Sequence, residues 1–97
     1  MSNLMNAHYL HTATKSGKRV TLAALEFTDK SWHVGAAKCN PKDQYNKKFG
    51  RRIAEGRALK NPLVVYPPTD QSLITKLLKA EALELDNKQF SFIKLSE

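Results

Sequence analysis

The residues whose types and spacing suggest chemistry lie between Lys38 and Lys60, in the run KCNPKDQYNKKFGRRIAEGRALK. Eight cations (Lys38, Lys42, Lys47, Lys48, Arg51, Arg52, Arg57, Lys60) stand there against two acids, Asp43 and Glu55. This stretch of 23 residues therefore carries +6 of the chain's formal +7. The remainder, with eight cations and seven acids, is close to neutral. Cations gathered this densely repel one another, and a segment that carries them is suited to meeting something negative. Lys and Arg arrayed on one face neutralise phosphate backbones, and such contacts dominate nucleic-acid affinity. Arg51 and Arg52 add a planar fork that can grip two oxygens of a phosphate or a base edge, which lysine does not offer. An acidic protein surface is a second partner of the same chemistry. A solvated helix face with no partner is the third reading.

The other reactive side chains are sparse. His8, His11, His33 and Cys39 are the nitrogen and sulfur ligands for a transition metal, and no Cys-x-x-Cys or His-x-x-x-His spacing joins them. His8 and His11, three apart, point to opposite faces of a strand. No metal and no cofactor is expected. Cys39, just before a helix start and flanked by Lys38 and Lys42, has the setting of a lowered thiol pKa, with His33 or His11 as a base. Without a local signature it reads instead as a buried structural thiol. The nine acids form no pair or cluster such as a nuclease or glycosidase needs, and no Gly-rich phosphate loop joins a strand to a helix. The chain is not expected to be an enzyme.

The basic run must be held by some element, and its pattern is helical. Asn40 suits an N-cap, Pro41 the first helical position, and Asp43 the first turn, where the helix dipole favours an anion. At about 100° per residue, Tyr45, Phe49, Ile53 and Gly56 share an apolar side. Lys47, Lys48, Arg51 and Arg52 fall on the opposite arc, with Lys42 and Arg57 at its edges. These six are the candidate contact residues. Gly50 and Gly56 each cost such a helix about 1 kcal/mol relative to alanine. Asn61-Pro62 ends it.

Around this helix the chain alternates as strands do. Ala7, Tyr9, His11 and Ala13 share one face of a strand over residues 7–14, followed by a polar turn, Lys15-Ser16-Gly17-Lys18. Arg19 to Thr28 resumes the alternation with Val20, Leu22 and Ala24 together. Leu25 and Phe27 break the parity, which a bulge or burial on both sides explains. Asp29-Lys30-Ser31 turns into a third strand, Trp32 to Lys38, with Trp32, Val34 and Ala36 on one face. Leu63 to Tyr66 is a short β-prone run before Pro67-Pro68. Thr69 or Asp70 caps a second helix over about 70–81, in which Leu73, Ile74, Leu77 and Leu78 recur at helical spacing. Residues 82–85 fit a helix end or a strand, and Gln89 to Leu95 alternates around Phe90 and Phe92 as a last strand. The expected fold is a single α+β domain over residues 1–97. It has a three-stranded antiparallel meander, one or two further short strands, and two helices packed on one face.

At 97 residues, 41% hydrophobic and 26% charged, the chain can bury one modest core. Its longest apolar runs, Leu22 to Leu25 and Leu63 to Tyr66, fall far short of a membrane span. A secretory signal is not expected from the first residues, and a lone cysteine, which has no internal disulfide partner, fits the cytoplasm. The sheet edge and the run Leu63 to Tyr66 offer surfaces for a homodimer.

A hairpin ending in HVGAAK leads into Cys39-Asn40-Pro41-Lys42-Asp43-Gln44-Tyr45, and then Lys47-Lys48, Gly50-Arg51, Ile53-Ala54 and Gly56-Arg57. This stretch, from about Val20 to Leu59, resembles small uncharacterised proteins of bacteriophages and related mobile elements. The resemblance implies a phage or prophage origin and a role in the cytoplasm of the bacterial host. It brings no catalytic residue with it. Two function classes follow. The first is a basic module that binds DNA or RNA through the helix face. The second is a protein-binding inhibitor or adaptor, such as an anti-restriction or anti-CRISPR factor, that sets the same face on an acidic groove of a host or defence complex. A nucleic-acid mimic would be acidic, so mimicry is disfavoured.

Overall fold

A computed structural model describes residues 3–38 and 46–87. The elements run β1 (Leu4–Ala13), β2 (Arg19–Phe27), β3 (Trp32–Lys38), α1 (Lys47–Lys60), β4 (Val64–Tyr66) and α2 (Gln71–Glu84), with a closing 3-10 turn over Leu85–Asn87. The strands form one antiparallel sheet in the order β1-β2-β3-β4. The α+β class and the meander expected from the alternation are present. The last expected strand, Gln89 to Leu95, lies outside the described residues, as do Cys39 and Lys42.

Register follows from the turns. Gly17, at φ +91, closes the first hairpin by donating its amide to the Thr14 carbonyl at 2.9 Å, which sets Ala13 opposite Arg19. In the second hairpin Lys30 takes φ 72, a position glycine usually fills, and the Asp29 carboxylate accepts from the amide and hydroxyl of Ser31. Those two bonds hold the exposed Asp29 carboxyl below its ordinary pKa. A bulge does occur, but in β1 at Met5 rather than in β2. The parity break at Leu25 has the other cause. Residues 20–25 of β2 are all buried, because the strand is covered on both faces.

That double burial corrects one expectation. The two helices lie on opposite faces of the sheet, not on the same one. Val20, Leu22, Ala24, Trp32, Val34 and Ala36 face α2 and form a core with Ile74, Leu78, Ala82 and Leu85. Ala23 and Ala37 face α1 and pack with Ala54, flanked by Tyr9, Phe49 and Ile53. The physical reason is in the strands: with apolar residues at both parities of β2 and β3, a cover on one side would leave the other in water. Asp70 caps α2, accepting from the Ser72 amide at 3.1 Å. Polar ties reinforce this layer. Trp32 Nε1 donates to the Thr69 carbonyl at 3.1 Å, and the Tyr66 hydroxyl donates to Glu81 at 3.0 Å. Burial, then the Glu81 hydrogen bond and charge, pushes the Tyr66 pKa up to about 12. At the far end, Asp86 accepts from the Ser16 amide (2.7 Å) and hydroxyl (2.8 Å), tying the helix end to the first hairpin turn.

Candidate nucleic-acid interface

The basic helix is shorter and differently seated than its sequence suggests. Asn46 has extended backbone (φ -135, ψ 109), and its side chain accepts from the Phe49 amide at 3.0 Å. α1 therefore starts at Lys47, not at Pro41, and the expected cap Asn40 lies outside the described residues. The buried row is Gly50, Ala54 and Ala58, successive residues four apart. Phe49 and Ile53 are half-buried flanks, and Gly56 is not in the contact row: a β-carbon there would meet nothing within 4 Å.

Small residues win the sheet-facing row because the backbones nearly touch. A β-carbon on Gly35 of β3 would overlap the Ala54 carbonyl oxygen and the Ala58 amide nitrogen. One on Gly50 would stand 2.6 Å from Thr21 Oγ1 of β2. Two polar contacts pin the helix flanks. The Tyr9 hydroxyl of β1 donates to Glu55, with the Arg51 guanidinium 5.7 Å above the Tyr9 ring centroid, a cation–π arrangement. On the other flank, Arg57 Nη1 donates to the Ala36 carbonyl at 2.9 Å.

Of the six candidate contact residues, Lys47, Lys48, Arg51 and Arg52 are exposed together on the first two turns of α1. Lys47 and Arg51 form one row beside β1; Lys48 and Arg52 form the next, beside a shallow recess of about 220 Å³ with Asn46 and Phe49. Arg57 departs from its expected role. It is half-buried on the sheet edge, where burial lowers its pKa, and it holds a β3 carbonyl rather than facing a partner. Lys42 lies outside the described residues. Lys60 extends the exposed charge to the helix end.

Two residues join the site that charge counting along the run does not reach. Arg19, at the start of β2, and His11, on the α1 face of β1, line an open groove of about 380 Å³ with Lys47, Thr12, Ala13 and Gly17. Pairing the first hairpin about Gly17 is the signal that finds Arg19, since it sets that residue opposite Ala13 beside the helix start. His11 Nδ1 bonds Thr21 Oγ1 at 2.9 Å. Burial, then the charges of Lys47 and Arg51, lowers its pKa below 6.5.

The remaining histidines are elsewhere. His8 bonds Thr75 of α2 at 2.8 Å, and His33 sits edge-on to Phe27 with ring centroids 4.8 Å apart. Among the described residues no three metal-ligating side chains come together, and no helix is long and apolar enough to cross a membrane. No family model, curated protein or solved structure matches the chain.

Proposed function

We propose that this chain is a small basic phage-type binding protein that holds the phosphates of a nucleic acid across the outer face of α1. The observation that carries the reading is where the cations sit. Lys47 and Lys48 occupy the first turn, where the helix dipole disfavours positive charge, and that turn contains no acid. Lys47 with Arg51, and Lys48 with Arg52, are like-charged pairs four residues apart, a spacing that costs rather than contributes stability. The opposite end of the same helix has Arg57 and Lys60, where the dipole favours them. A helix that concentrates cations at its unfavourable end, exposed and in two parallel rows, is arranged for an anion that arrives from outside. A bound phosphate reverses each of these costs at once.

The chemistry is backbone neutralisation. Arg51 and Arg52 fork onto phosphate oxygens, Lys47 and Lys48 act as point charges, and the amide dipoles of the α1 start add to the field. Nearby, Tyr9 has its hydroxyl on Glu55 and its ring under Arg51, which favours phosphate contact over base stacking at this face.

Fluorescence anisotropy with labelled duplex DNA and RNA tests this. Four neutralised phosphates give a slope of log affinity against log salt of about −3.6 on duplex DNA, or roughly a 100-fold loss between about 50 and 200 mM salt. Arg51→Ala with Arg52→Ala should lower that slope by about two and weaken every sequence alike. No binding of either nucleic acid at low salt overturns the proposal.

A further inference from the structure

We infer that Gly56 is where a nucleic-acid backbone comes closest to α1. It forms a notch in a ridge of cations, on which a sugar seats while the phosphates on either side meet Arg52 and Lys60. It rests on the phosphate reading of α1 and names the point of closest contact within it. Residues four apart on a helix stand in one ridge, rising about 6 Å per step. Lys48, Arg52, Gly56 and Lys60 form such a ridge along the whole of α1. All of its cations are exposed. Glycine holds the remaining place.

Two glycines lie inside α1, and the fold accounts for one of them. Gly50 passes Thr21 too closely to carry a β-carbon. At Gly56 a β-carbon would meet nothing within 4 Å among the described residues. No turn requires it either, since Gly17 is the described glycine with positive φ and α1 continues beyond Gly56 to Lys60. Glycine there lowers helix propensity, and nothing in the described fold offsets that loss. What the missing β-carbon provides is outward, a patch of bare backbone that another chain can approach.

The surroundings suit a sugar–phosphate chain. Leu59, three residues on and so a neighbour on the helix surface, is 59% exposed and offers an apolar side to the C–H face of a sugar. Arg52 and Lys60, one step before and one step after the notch, offer charge to the flanking phosphates. Glu55, the one acid of α1, is drawn to the β1 flank by the Tyr9 hydroxyl, off the ridge.

Gly56→Ala separates binding from folding, because the two should move in opposite directions. Thermal melts should show the variant more stable than the unsubstituted chain, as alanine favours the helix. In fluorescence anisotropy with labelled DNA and RNA duplexes its affinity should fall about tenfold, the effect of crowding a close contact. Its slope of log affinity against log salt should not change, because no charge is lost. Lys60→Gln should instead lower that slope by about one. A loss with both duplexes assigns the notch to the shared sugar–phosphate chain, and a loss with one alone assigns it to that sugar. Each of these supports the notch.

A folded Gly56→Ala variant that binds both duplexes as the unsubstituted chain does overturns it. So does a variant that is less stable, since the chain's own residues would then fill the space, and so does an unchanged slope in Lys60→Gln. The two readings fail in different ways. If duplexes bind and weaken with Arg51→Ala and Arg52→Ala while Gly56→Ala binds normally, the notch alone is wrong. If neither duplex binds the unsubstituted chain at low salt, the α1 reading is wrong and the notch falls with it.

Discussion

On the α2 side of the sheet the space between layers is filled by Leu22, Trp32, Val34, Ile74, Leu78 and Leu85. On the α1 side, Ala23, Gly35, Ala37, Gly50, Ala54 and Ala58 leave the backbones almost in contact. The same strands thus solve burial in two ways. Large side chains remove much apolar area from water, at about 1.5–3 kcal/mol each, and they set global stability. Small ones contribute little area but allow close approach, so α1 is held by fit and by flanking polar contacts. The helix with the charge is therefore the layer with less hydrophobic area to hold it. Stability resides mainly on one side of the sheet, and the exposed cations on the other.

Substitutions separate the two sides by size of effect. Trp32→Ala should cost about 3–5 kcal/mol, because it opens a cavity under α2 and leaves the Thr69 carbonyl without its indole donor. Urea unfolding monitored by circular dichroism would show it as a loss of the whole fold. Gly35→Ala should cost about 3 kcal/mol, since the added carbon meets helix backbone that has no rotamer to yield. Hydrogen exchange should place that loss in α1 while the α2 core keeps its protection. Equal loss in both layers would show that the two sides are not separable.

The helix glycines give a finer contrast. Gly56→Ala should raise stability by about 0.5–1 kcal/mol, as its β-carbon enters open space in a helix interior. Gly50→Ala gains the same propensity but presses on Thr21 Oγ1, which is held by His11, so it should come out destabilising by thermal melts. A gain at both positions would mean α1 can lift off the sheet without penalty.

The smallest effect is with pH. The unfolded His11 imidazole takes its proton near its ordinary value of 6.5, while the folded one, facing Lys47 and Arg51 with Arg19 lining the same groove, takes it only at lower pH. Acidification in that window favours the unfolded chain, so stability is full above about 6.5 and declines below it. His11→Asn should flatten this part of the stability curve between pH 7 and 5.

Much of the fold is legible in the sequence. Alternation placed β2 and β3 to within a residue but began β1 at Ala7 rather than Leu4, and Thr69 or Asp70 announced α2, because a cap and a helical apolar period are local properties. What was not legible depended on nonlocal choices. Leu25 out of parity signalled either a bulge or a strand buried on both sides, but the number of helices per face is set by which surface each can reach. Along the basic run the large residues Tyr45, Phe49 and Ile53 drew the expected apolar stripe toward themselves, whereas the contact row of α1 is Gly50, Ala54 and Ala58. Hydrophobic size misleads where close approach is at stake, and only the pairing of Gly35 with this row reveals it. Among the site residues, the exposed four could be read from charge spacing. Arg57 could not, because nothing local distinguishes a cation that faces water from one that faces a bare carbonyl.

The position of that arginine has a consequence for self-association. Among the described residues β4 pairs with Trp32, His33 and Val34 of β3. Leu63 donates its amide to the Val34 carbonyl at 2.8 Å, and two residues further along the same side Arg57 donates to Ala36. The guanidinium stands where the next strand's amide would be. A strand carbonyl that no strand amide occupies is a template for intermolecular pairing, and a charged group seated on it blocks such pairing sterically and electrostatically. One side chain thus does two things: it ties α1 to β3, and it keeps that carbonyl from a strand of another copy.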